Sequence, residues 1–139
     1  MWHLFRVPET PEILLRGPKG EPVDFARTIV SHGVAELPPN RLELEARALE
    51  TTVAVPRGAR TVRITEESGT LRIDIAAGSA GGRVRDSLAE TVRHMFRLDE
   101  DLSGFYAVVG GDAELGWCAG GAGRMLRAPT VFEDVVKTN

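Results

Sequence analysis

The chain has 139 residues, the size of one ordinary domain, with 42% hydrophobic and 27% charged residues. That composition supplies a real core and excludes the disordered class. Seventeen Lys and Arg against twenty Asp and Glu give a formal charge of −3 with no basic end, which excludes a polybasic tail and a strongly cationic nucleic-acid domain.

Residues 12–16 (EILLR) form a short apolar run stopped by Gly17-Pro18, the signature of a first strand. Residues 22–33 carry a helical stripe of Phe25, Ile29 and His32, with Asp24 placed to start the helix and Gly33 to end it. Leu37-Pro38-Pro39-Asn40 is a loop.

The period then changes. Leu42 and Leu44 alternate with charged neighbours, and the runs 49–55, 60–66 and 70–76 follow, separated by the turns Pro56-Arg57-Gly58 and Ser68-Gly69. Val62 and Ile64, then Leu71, Ile73 and Ile75, alternate with polar residues, as in antiparallel strands with one buried face.

After the flexible break 77–82, residues 83–98 return to helical period through Val84, Leu88, Val92 and Met95. Asp99 is placed to cap a helix over 100–109 carrying Leu102, Phe105, Tyr106 and Val109, closed by Gly110-Gly111. A turn at 113–118 and a glycine-rich loop over 116–123 lead to Pro129-Thr130, which opens a last helix over 131–138.

The expected fold is α+β: an antiparallel sheet of four to five strands backed by two helices, followed by a short helical C-terminal segment. The boundary falls at residue 98, dividing an α+β unit (1–98) from the start of a helical unit (99–139).

Chemistry-bearing patterns are sparse. One cysteine, Cys118, excludes an internal disulfide and a cysteine-built zinc site, and no basic cluster adjoins it to make a nucleophile. His3, His32 and His94 stand apart at no metal-ligand spacing, and a structural role is expected for each. Gly120-Gly121-Ala122-Gly123 lacks the signature of a phosphate loop and is expected to be an exposed linker. The carboxylates come as adjacent surface pairs, Glu66-Glu67 and Glu133-Asp134 among them, rather than at positions that face one another. No catalytic residue, metal or cofactor is therefore expected. The best local case for nucleic-acid contact is Arg124 and Arg127, flanking Met125-Leu126 ahead of the last helix, with Lys137 on that helix. No apolar run reaches about 18 residues. The opening MWHLFRVPET lacks the layout of a signal peptide, so a cytoplasmic protein without membrane contact is expected.

Residues 94–138 resemble the helix-hairpin-helix DNA glycosylase superfamily, to which 3-methyladenine DNA glycosylase II and 8-oxoguanine DNA glycosylase belong. The resemblance rests on an ordered set: Phe96-Arg97-Leu98-Asp99 closing a long helix, Leu102 and Tyr106 on the next, then Gly123-Arg124-Met125-Leu126 leading into a helix from Pro129 to Thr138. DFARTIVSHGVAELPPNRLELE (24–45) is similar to the first helix and turn of the family's N-terminal domain. The resemblance implies a TATA-binding-protein-like sheet backed by two helices. It also implies that the family's hairpin, catalytic aspartate and nucleophilic lysine lie beyond the last residue, since Glu133 and Asp134 do not match the catalytic position. The expectation is an N-terminal scaffold that meets DNA through the full-length enzyme, is inactive alone, and is able to homodimerise through exposed terminal helices such as those of Phe105, Tyr106, Phe132 and Val135. The rival reading is a free-standing binding module for a small apolar ligand or a partner protein. An enzyme centred on Cys118 and the glycine loop ranks below both.

Overall fold

The computed structural model describes residues 12–31, 33–76 and 80–138. It is α+β, with one five-stranded antiparallel sheet and several helices. The strands are β1 (Ile13–Leu14), β2 (Arg41–Glu43), β3 (Ala48–Val55), β4 (Gly58–Glu67) and β5 (Thr70–Ile75), in the order β1-β5-β4-β3-β2. Among the described residues no helix is long and apolar enough to cross a membrane.

Register follows from side-chain alternation. Leu42 faces Leu49, Leu49 faces Ile64 and Ile64 faces Ile73, while Thr51, Val62 and Ile75 make the next row. A one-residue slip would turn every one of these side chains to water. Leu49, Val62 and Ile64 are fully buried, each contributing about 1.5–3 kcal/mol of apolar burial. The opposite face carries a row of alternating charge, Arg41, Glu50, Arg63 and Asp74, in direct cross-strand register. Arg63 pairs with Glu43 (3.2 Å) and Glu50 (3.7 Å), and Arg72 with Asp74 (3.2 Å). This face neutralises itself and is not a basic platform.

Helix α1 (Phe25–Ile29) is much shorter than the 22–33 that its apolar stripe suggests. Asp24 caps it as expected, its carboxylate accepting from the Arg27 amide at 3.0 Å. The helix stops early because Thr28-Ile29-Val30 is β-branched and Ser31 competes for the backbone, its hydroxyl donating to the Thr28 carbonyl (2.7 Å). Residues 33–36 form a separate 3-10 turn. Replacing Asp24 with Ala is expected to cost about 1 kcal/mol, read as a small fall in the midpoint of thermal unfolding; no change would mean the cap is idle.

Helix α2 (Gly82–Met95) buries Leu88, Ala89, Val92 and Met95, and Phe96 stacks on Phe25 with ring centroids 5.5 Å apart. It ends at a left-handed residue, Arg97 (φ 53°), where the Leu98 amide donates to Arg93 O and the Arg97 amide to His94 O. Glycine usually holds that position, and the arginine side chain explains the exception below.

Helix α3 (Ser103–Val109) starts later than the sequence pattern suggests. Asp99 is not its cap but lies in the turn after α2; Asp101 receives the Ser103 amide at 2.8 Å instead. A 3-10 turn spans Gly116–Gly120, and helix α4 spans Val131–Thr138. The Thr130 hydroxyl accepts from the Glu133 amide at 3.2 Å.

Two apolar clusters result. The main one joins the inner sheet face to α1, α2 and, from the far end of the chain, Leu98 and Leu126. The smaller holds Tyr106, Val109, Cys118 and Ala122.

Candidate functional site

Residues 121–128 form a strap that ties α3 and α4 to the sheet unit. Gly121 (φ 122°) accepts from the Asp24 amide at 3.1 Å, and a Cβ there would stand 2.5 Å from that nitrogen. This is close backbone approach, so the glycine-rich stretch is not the exposed linker its composition suggests. Gly121→Ala is expected to destabilise by about 2 kcal/mol or more through strain and collision; chemical denaturation reads the loss, and a neutral result would dissolve the tight docking of the strap. Further along, the Leu126 amide donates to the Ser31 hydroxyl (3.0 Å) and the Arg127 amide to Met95 O (2.8 Å). Buried Tyr106 donates to Ala122 O at 2.6 Å. Burial pushes its phenol above the ordinary value, against the lowering charge of Arg124, so it stays a donor.

The three basic residues that the sequence singles out are all engaged by their own fold. The Arg124 side chain is 0% exposed. Its Nη1 donates to Arg97 O and to Glu100 O (2.9 Å), and its Nη2 stands 3.6 Å from Glu21 Oε2. Glu21 in turn accepts from the amides of Lys19 (2.8 Å) and Leu102 (2.6 Å). Arg124 therefore cannot reach a phosphate at the surface and is an internal pin, contrary to the expectation from its place in the sequence. Arg127 donates to His94 Nδ1 (3.1 Å) and pairs with Asp99 (3.4 Å) and Glu100. Lys137 is half-buried and lies 3.9 Å from Glu133.

Arg97, left-handed at the end of α2, donates through Nε to Met125 O (2.6 Å) and through Nη1 to Glu100 (2.8 Å). A glycine would relieve its backbone but would lose this grip on the strap. Burial raises the Glu100 carboxyl, but hydrogen bonds from Arg97 and Arg127, with their charges, outweigh it and hold Glu100 below its ordinary value. The sign follows: its contribution is complete above the unfolded carboxylate range and is lost as acid titrates through the lowered value.

Beyond the strap, α4 is turned inside out. Its polar side faces the protein: Asp134 accepts from the Ala128 amide at 2.9 Å, and Lys137 packs beside Glu133. Its outward arc is Val131, Phe132, Val135 and Val136, which are 71, 75, 53 and 56% exposed. Phe105 and Val108 on α3 are also exposed, whereas Tyr106 is buried in the smaller cluster and does not join this surface. Cys118 is buried beside it.

His94 sits in the last turn of α2; His3 and His32 lie outside the described residues. Among the described residues no group of His, Cys, Asp and Glu could hold a metal ion. Glu21, Arg97 and Glu100 were not legible as partners of Arg124 and Arg127. They lie 24 to 103 positions from Arg124 and belong to no motif. The one hint in the sequence is that Glu21 stands between Gly20 and Pro22, directly after the Gly17-Pro18-Lys19-Gly20 turn.

Comparisons with protein-family models, with curated proteins and with solved structures return no match.

Proposed function

We propose that this chain is the N-terminal scaffold of a helix-hairpin-helix DNA glycosylase, with no catalytic residue of its own. In this reading a TATA-binding-protein-like unit carries the first helices of a base-excision domain and presents them at a fixed angle. The observation that carries the reading is the inverted α4. A helix that turns its charged side inward and four apolar side chains to water loses burial free energy unless another surface covers it. A further set of helices packing on that stripe is the occupant that the resemblance of 94–138 implies. The strap supports the same reading. Its pins cost backbone strain at Arg97 and desolvation at Arg124, which suits a joint that must hold an angle.

Base excision requires a flipped nucleotide and an activated attack on its sugar carbon. In the charged clusters described above, Glu21, Glu50, Asp74 and Glu100 are paired to arginines, Glu133 lies beside Lys137, and Asp134 accepts from the Ala128 amide. The test has two parts. The nucleotide sequence that follows the Asn139 codon is expected to encode a Leu-Pro-Gly-Val-Gly-like hairpin and then an aspartate; an in-frame continuation into an unrelated pattern overturns the family reading. Incubated with duplexes bearing alkylated purines or 8-oxoguanine, the purified chain is expected to release no base, and robust release would overturn the scaffold role.

A further inference from the structure

Neither the strap nor the smaller apolar cluster uses Trp117. Tryptophan is on average a well-buried residue, yet Trp117 is 58% exposed. Its backbone does not let it turn in. The Cys118 amide donates to Leu115 O (2.9 Å) and the Gly121 amide to Cys118 O (3.1 Å), while Cys118 is held in the smaller cluster and Gly121 against the Asp24 amide. The 3-10 turn is thereby docked just after the indole, and the ring stays outward.

One cation already uses the ring. The Arg27 guanidinium carbon lies 4.6 Å from the ring centroid, and Arg27 Nε lies 3.5 Å from Asp24. The exposure of Trp117 is measured with Arg27 in place, so ring surface remains for a second group.

The surroundings are acidic. Residues 98–123 contain five carboxylates and no Lys, Arg or His. Two of the five belong to this turn, Asp112 and Glu114. Asp112 Oδ1 accepts from the amides of Leu115 and Glu114 (2.8 Å each), which hold its carboxyl below the ordinary value and keep it charged. The Gly116 amide donates to Asp112 O (2.9 Å), which winds the segment helically and sets Glu114, three residues before Trp117, on the same side. Glu114, Leu115 and Trp117 are all exposed. Arg27 against Asp24, Asp112 and Glu114 leaves the setting of the ring at 1 − 3 = −2.

We propose that the Trp117 turn, with Leu115 and Glu114, docks a cationic segment of a partner protein, seating an arginine or lysine on the free indole surface with its charge against Glu114. Charge complementarity argues for this occupant, because an excess of carboxylates beside an aromatic ring favours a cation. Tryptophan is also a residue on which binding energy concentrates at protein interfaces. An anionic membrane is repelled by the same carboxylates. The docking turn is independent of the glycosylase reading, and neither falls with the other.

The test is a fluorescence titration of Trp2→Phe, which leaves Trp117 as the sole tryptophan. A short peptide of alternating arginine and leucine is expected to shift the Trp117 emission, with an affinity that falls as salt rises. With the same peptide labelled and followed by anisotropy, Trp117→Ala is expected to weaken binding about fivefold to tenfold and Glu114→Gln about twofold to threefold. Arg27→Gln is expected to tighten binding about twofold, since it removes a competing cation; a surface for anions would show the reverse. Glu66→Gln with Glu67→Gln, on the sheet, is the control and is expected to bind as the wild type does. All five side chains are exposed, so the thermal midpoints are expected to stay in place. Unchanged binding by Trp117→Ala, equal loss in the Glu114 and control variants, tighter binding of a glutamate–leucine peptide, or no peptide binding overturns the proposal. So does a shift of Trp117 emission on diluting the chain alone, which would make a second copy the occupant.

Discussion

Arg124→Ala is expected to cost about 3–5 kcal/mol, the range for removing one partner of a buried ion pair. Arg124 and Glu21 have side chains 0% and 5% exposed, so the orphaned carboxylate would stay in a site that water does not reach. The carbonyls of Arg97 and Glu100 would lose their donor as well. Denaturant titration followed by circular dichroism measures the loss. Glu21→Gln is expected to cost less, because the amide oxygen still accepts one of the two backbone amides. The joint variant Arg124→Met with Glu21→Leu is expected to regain much of the loss, since apolar residues of similar volume replace a desolvated pair at little cost. Gly17 sets the same limit from the other side. A Cβ there would collide with the Glu21 carboxyl carbon and the Arg124 guanidinium, so Gly17→Ala is expected to follow Arg124→Ala in direction. A cost below about 1 kcal/mol for Arg124→Ala would show that the pair does not hold the strap.

This pin marks the limit of what the sequence discloses. The sheet was legible because its signal is local: alternation at Val62, Ile64, Leu71, Ile73 and Ile75 repeats every two residues, and Ser68-Gly69 supplies the left-handed turn the hairpin needs. The body of α2 was legible for the same reason, from Val84 to Met95. Its end was not, because Arg97 stands where the pattern rule looks for glycine, and the side chain that justifies the exception reaches Met125, 28 positions away. The stripe over 22–33 overstates α1, because an apolar stripe says which face would be buried, not whether β-branched residues and a serine hydroxyl will let the helix continue. At the site, arginines ahead of a helix look alike on paper whether they face a phosphate or a glutamate. Only the placement of Glu21 and Glu100 separates the two outcomes, and that is a property of the folded chain.

The stripe on α4 gives the second large effect. At high micromolar concentration the chain is expected to self-associate, and Phe132→Asp with Val135→Asp is expected to abolish this in sedimentation equilibrium. Each exposed apolar side chain contributes at most about 1.5–3 kcal/mol when covered. A helix of eight residues is about 12 Å long, so a pair of such stripes falls short of the roughly 800 Å² per partner of a standard interface. Ordering two copies costs several kcal/mol on top. The self-association is therefore weak, in the range of about 10–100 μM, as suits a surface shaped for an intramolecular neighbour rather than for a second copy. The paired aspartates are expected to leave the unfolding midpoint unchanged, because Phe132 and Val135 are 75% and 53% exposed. Loss of several degrees would mean that the stripe packs within its own fold, and a wild-type chain that stays monomeric at every concentration would remove the argument that the stripe seeks a cover. If the continuation of the reading frame supplies further helices, the longer protein is expected to be monomeric, with these four side chains protected from solvent. Burying an aspartate at position 132 would then cost stability there while costing nothing in the shorter chain. That difference separates a covered scaffold from a free-standing module, in which the same substitution would be silent in both.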